Sequence, residues 1–156
     1  MRRWWMKATS WLGGLRHLRN PDDVFLFLRI FFFAAAVPVI LRLKLPRIET
    51  LLEPRKDRPT TDSLRVEKIV HYVDAVLRLG RPLVRRGCLT RGLTLYYFLR
   101  GAGLTVKLCF GMGKPGGTFA GHCWLVKDGA PFMEARDPRC VFNVIYGFSQ
   151  ERAGVR

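Results

Sequence analysis

The spacing of apolar residues in this chain changes abruptly at Gly101-Ala102-Gly103. Before that break apolar side chains recur every three or four positions, the stripe of an amphipathic helix; after it they alternate, as on a half-buried strand. Val66, Ile69, Val70, Val73, Val76 and Leu77 make one helical stripe, from about Asp62 to the Gly-Arg-Pro at 80–82. Leu89, Leu93, Tyr96 and Leu99 make a second, from about Cys88 to Arg100. Beyond the break LTVKLCF (104–110) sets Val106, Leu108 and Phe110 against Thr105, Lys107 and Cys109. FAGHCWLV (119–126) and PFMEA (131–135) continue as strands joined through Lys127-Asp128-Gly129, a hairpin signal, while GMGKPGG (111–117) reads as a loop. Helices followed by strands predict an α+β fold with a small antiparallel sheet. At 156 residues the chain suits one domain with a real core.

Upstream, Asn20-Pro21-Asp22-Asp23 reads as a helix start, with Asn20 as cap and both carboxylates favoured by the N-terminal dipole. From Val24 to Leu41 run 18 residues with one charge, Arg29, and one helix breaker, Pro38. That length is the lower edge of a membrane span, and Arg29 is costly in lipid, so a buried or membrane-surface helix with basic flanks is the preferred reading. Residues 1–20 are basic and aromatic, with Trp4, Trp5 and Trp11 among arginines, and 46–62 hold three prolines and many charges, as a linker does. The organisation expected is therefore 1–61 as basic N-terminus, apolar helix and linker, and 62–156 as the working domain.

The net charge of +15 admits nucleic acid, an anionic membrane surface or an acidic peptide as partner. It is spread as +7 over residues 1–61 and +8 over 62–156, with no recognition motif, which speaks against nucleic acid. Cysteines at 88, 109, 123 and 140 form no close pair, and no cleavable signal peptide is recognisable; reduced thiols in a cytoplasmic protein are expected. Zinc is not expected, because the adjacent His122 and Cys123 point to opposite faces of a strand. No cofactor is expected; GMGKPGG lacks the phosphate-loop spacing and does not open a helix, which speaks against nucleotide binding.

Chemistry concentrates at RRGCLTRGL (85–93). Cys88 begins a helix, where unpaired amides and the dipole favour a thiolate, and Arg85, Arg86 and Arg91 lie close in sequence. A lone cysteine at such a place is more often an inert small hydrophobe. His122 raises the odds: 34 residues later in an alternating strand, it needs a partner if buried, and a general base for Cys88 is the reading with chemical content. The third member depends on the hairpin. A three-residue Lys127-Asp128-Gly129 loop pairs Val126 with Ala130 and puts Glu134 opposite His122. A two-residue Asp128-Gly129 loop pairs Lys127 with Ala130, turns Glu134 away and brings Asp137 onto the His122 face. Glu134 is favoured, with Asp137 close behind.

At these residues the sequence resembles a known family. GCLTRGLTLYYFLRGAGLTVKLCFGM, followed by FAGHCWLVKDGAPFMEARDP, is similar to the transglutaminase-like cysteine peptidase domain of lasso-peptide maturation proteins, typified by the C-terminal domain of the microcin-processing protein. Cys88, Leu89 and Arg91 match its helix start, His122 and Trp124 its His-x-Trp strand, over about residues 60–148. The resemblance implies a papain-like core and a leader peptidase using Cys88, His122 and a carboxylate, Glu134 or Asp137. It also implies a precursor leader peptide, a separate leader-recognition protein and an ATP-dependent cyclase as partners. Trp124 would wall the cleft and Arg91 set its field. Competing readings are a non-enzymatic, basic, membrane-associated adaptor, and a transglutaminase-like acyltransferase.

Overall fold

The computed structural model describes residues 20–52, 63–80 and 82–148. The basic aromatic N-terminus and the later part of the expected linker lie outside the described residues. Within them the order is α1 (Pro21–Ile40), α2 (Leu45–Leu52), α3 (Ser63–Leu79), α4 (Cys88–Gly101), β1 (Lys107–Gly113), β2 (Ala120–Lys127), β3 (Ala130–Phe132) and β4 (Phe142–Phe148). The fold is α+β: helices pack on a four-stranded antiparallel sheet of order β3-β2-β1-β4, preceded by the apolar α1.

The first turn of α1 departs from simple capping. Asn20 occupies the cap position without a side-chain cap bond, and Asp23 is buried, bonded to Lys68 Nζ on α3 at 3.0 Å. Ile30, Ala34 and Val37 face inward and Phe33 stacks on Tyr97 of α4 with centroids 4.6 Å apart, so α1 shares one core with α3 and α4. Residues 45–52 correct the linker reading: they form α2, whose Ile48 and Leu52 are buried in that same core. Glu49 accepts a hydrogen bond from Tyr146 Oη at 2.9 Å, tying α2 to β4.

In α3 the stripe buries Ile69, Val73, Val76 and Leu77, as its spacing requires. Arg86 closes the helix: its Nε donates to Leu77 O at 2.7 Å and its Nη2 to Arg78 O at 2.6 Å, using carbonyls that have no partner inside the helix. The central element is α4, buried by the other helices on one side and the sheet on the other. Leu93, Tyr96 and Leu99 are inside, whereas Leu89 is 38% exposed, so the expected stripe begins one turn later. Each large apolar side chain fully buried here contributes about 2 kcal/mol. The helix ends in a Schellman motif: Leu104 N–H donates to Leu99 O and Gly103 N–H to Arg100 O, both at 2.9 Å, with Gly103 at φ 86°.

Two strand readings are corrected. β1 runs on to Gly113, so the expected loop shrinks to a short turn at Pro115–Gly117. β4, absent from the sequence reading, pairs with β1 across a bulge between Phe110 and Gly111. Its Phe142, Val144, Tyr146 and Phe148 do alternate, but Val144 and Ile145 are both exposed, and a strand with a bulge loses the regular inward face that makes alternation readable.

Candidate active site

Gly87 stands extended before α4, and Cys88 begins the helix with its side chain partly exposed. One turn on, Gly92 lets the helix settle against β2. A β-carbon there would collide with Cys123 Sγ and press on Leu108 Cδ1 at 3.2 Å. The approach is close enough for Cys123 Sγ to donate to Cys88 O at 3.4 Å. Gly92→Ala should therefore destabilise the fold by about 1–2 kcal/mol, the overpacking cost less the gain from removing a helical glycine. Urea denaturation should show this loss, and Gly92→Ala with Cys123→Ala should recover most of it. An unchanged midpoint for Gly92→Ala would mean that the helix does not sit this close.

Along β2, His122 and Trp124 share one face and Cys123 and Leu125 the other. All four nevertheless line one cavity of about 130 Å³, together with Cys88, Arg91, Gly92, Leu95 and Glu134. Consecutive residues reach the same cavity because it lies along the edge of the strand. β3 pairs only with Leu125, Val126 and Lys127, leaving that edge uncovered beside His122.

The hairpin corrects the favoured register. Its loop has two residues, Asp128 (φ 50°) and Gly129 (φ 78°), and Lys127 pairs with Ala130. In a continuing strand that register turns Glu134 away from His122. The strand does not continue: β3 stops at Phe132, and Met133 takes φ 59°, an uncommon conformation for a residue with a β-carbon. The chain swings there and carries Glu134 Oε2 to 3.4 Å from His122 Nε2. Asp137 goes elsewhere. It caps the turn Pro138–Cys140, accepting from Arg139 N and Arg139 Nε, each at 2.9 Å, and that guanidinium holds its carboxyl below the usual range.

Other groups fix the imidazole. Its ring stacks on Trp124 at 5.9 Å and lies against Phe142 of β4 at 5.2 Å, a contact invisible without the β4 pairing. Trp124 is 1% exposed, and its Nε1 has no hydrogen-bond partner among the described residues. A proton placed on Nε2 would be donated to that carboxylate and would leave the Nδ1 lone pair free. Cys88 and His122 approach the cavity from different walls, and no hydrogen bond joins them among the described residues; apo sites often close only around substrate.

The expected basic field is redistributed. Arg91 lines the cavity, but its Nε donates to Asp74 at 3.0 Å, and Arg86 is spent on the end of α3. Two of the other thiols are shifted by burial. Burial, reinforced by the nearby Cys88 and Glu134, pushes the Cys123 thiol far up, and burial raises Cys109 as well. Among the described residues no group of three His, Cys, Asp or Glu stands together as metal donors.

Iodoacetamide at neutral pH should alkylate Cys88 ahead of Cys109, Cys123 and Cys140, followed by peptide mass spectrometry. Cys140 is the useful reference because it is the more exposed, so access alone cannot put Cys88 first. Equal rates at 88 and 140 would remove the case for an activated thiol.

No curated protein and no solved structure matches the chain. The family profile described as the transglutaminase-like superfamily matches residues 31–147, a stretch that takes in the second half of α1 and nearly all of β4. With an α+β core, a helix opening on Cys88 and His122 of the sheet facing the same cavity, the chain belongs to the transglutaminase-like superfamily.

Proposed function

We propose that this protein is a cysteine peptidase that removes the leader from a ribosomally made precursor peptide, in lasso-peptide maturation or a related process. The observation that carries the reading is the cavity shared by Cys88, His122 and Glu134, with the carboxylate on Nε2 of the imidazole. In this reading His122 Nδ1 takes the proton from Cys88, and the thiolate attacks the carbonyl after the leader. Glu134 holds the tautomer and offsets the imidazolium charge as it forms. Backbone amides of Cys88 or Leu89, at the helix start, have no intrahelical partner and hold the oxyanion. His122 returns the proton to the leaving amine, and water releases the leader from the thioester.

The net charge of +15 suits an acidic leader. A separate recognition protein would deliver that leader, and an ATP-dependent cyclase would take the freed core. The four free cysteines and the ribosomal origin proposed for the substrate support a site on the cytoplasmic side of the membrane.

A second reading has support in the superfamily itself: transfer of the acyl group to an amine in place of water. One assay separates the two. The precursor is incubated with this protein and the recognition protein, with and without a primary amine, and the products are weighed by mass spectrometry. Free leader and free core in both samples support the peptidase. An amide of the added amine as main product supports the transferase, and an intact precursor in both overturns the enzymatic reading.

A further inference from the structure

Beyond its first turn helix α1 carries one charge, Arg29, yet the described residues cover only one side of it. Ile30, Ala34 and Val37 are buried against α3 and α4, while Phe25 is 63% and Phe32 67% exposed. With Leu28, Ala36 and Val39, also exposed, these residues fall at intervals of three and four, a single stripe along the outer side of the helix. A surface helix of a water-soluble domain normally carries polar residues there. The one charge in the stripe, Arg29, lays its guanidinium over the rings of Phe25 and Phe98, at 5.7 and 5.9 Å, so its stem runs across apolar surface.

The surroundings of the stripe are basic. Arg42, Lys44 and Arg47 are exposed just beyond the C-terminal end of α1, and the sequence ahead of the helix carries Arg16 and Arg19. An exposed apolar stripe flanked by cations matches the surface of an anionic bilayer: acyl chains meet the rings, headgroup phosphates meet the cations. The helix is long and apolar enough to cross a membrane. Its inner face is committed, however, through the Asp23–Lys68 ion pair at 3.0 Å and the Phe33–Tyr97 stack, and a spanning helix would have to abandon both.

We propose that the outer face of α1 docks this protein on an anionic lipid surface, lying in the plane of the interface with the site of Cys88 outside the lipid. The test is flotation of the full chain with vesicles of phosphatidylcholine alone and of phosphatidylcholine with phosphatidylglycerol. The protein should float with the mixed vesicles, stay down with the neutral ones, and come off in alkaline carbonate. Phe25→Glu with Phe32→Glu should abolish flotation; both positions are exposed, and unchanged circular dichroism and Cys88 alkylation would show the fold intact. Replacing Arg42, Lys44 and Arg47 by Gln should weaken binding on the order of a hundredfold.

Wild-type protein remaining at the bottom with mixed vesicles would overturn the proposal. So would flotation of the double glutamate variant at the wild-type level, or carbonate-resistant insertion, which would mean a span. Sedimentation as a dimer that Phe32→Glu breaks, without flotation, would assign the face to a second copy instead.

Discussion

Cys88→Ala and His122→Ala should each stop release of the leader, with kcat at least about a thousandfold below wild type. In the proposed mechanism the two side chains carry one proton transfer between them, so losing either disables the same step. Their effects should not multiply: the double variant should be no slower than the worse single one. Stability should move much less than activity. Cys88 is partly exposed at a helix start, and the half-buried His122 gives up its ring contacts with Trp124 and Phe142 and one long contact with Glu134. Mass spectrometry of the cleaved precursor, beside thermal melts of each variant, checks both halves. A variant that melts like wild type and still cuts at the wild-type rate would remove that residue from the mechanism.

Glu134→Gln should slow cleavage by about 10²–10⁴-fold, while Asp137→Asn leaves the rate near wild type. The amide keeps the size of the glutamate but can neither offset an imidazolium nor hold one tautomer. Asp137 faces Arg139, not His122, so its loss is structural. The sign of that structural effect is fixed by the lowered pKa of Asp137. A carboxyl whose folded pKa is depressed adds stability above its unfolded pKa and loses it as pH falls through the folded one. The melting difference between wild type and Asp137→Asn should therefore be present at neutral pH and vanish in strong acid. Should Asp137→Asn abolish cleavage and Glu134→Gln spare it, the carboxylate assignment would reverse.

These expectations show where local reading ends. The stripes of α3 and α4 and the break at Gly101-Ala102-Gly103 are written in spacings of two, three and four residues, which follow directly from backbone geometry. The same is true of Cys88 at a helix start and of His122 and Trp124 on one strand face. The hairpin was legible as a hairpin, but one residue of register separated two carboxylates, and both registers used plausible turn chemistry. Neither anticipated Met133 leaving the strand, since a residue with a β-carbon gives no local signal for a positive φ. Gly92 offered a faint clue, a glycine inside a helix where alanine is intrinsically better, but what it makes room for is a sulfur 31 positions away.

By itself, then, the amino-acid sequence determined the fold class, the limits of the central helices and the placing of Cys88 at a helix start and His122 on a strand, because each rests on contacts between near neighbours. Tertiary structure decided the rest. It chose Glu134 as the neighbour of His122, spent Arg86 on a helix end and Arg91 on Asp74, added β4 beside β1, and left the outer side of α1 uncovered by the described residues. Those outcomes depend on partners brought together by packing, and a charge or a strand edge shows its partner only once the core has set the distance between them.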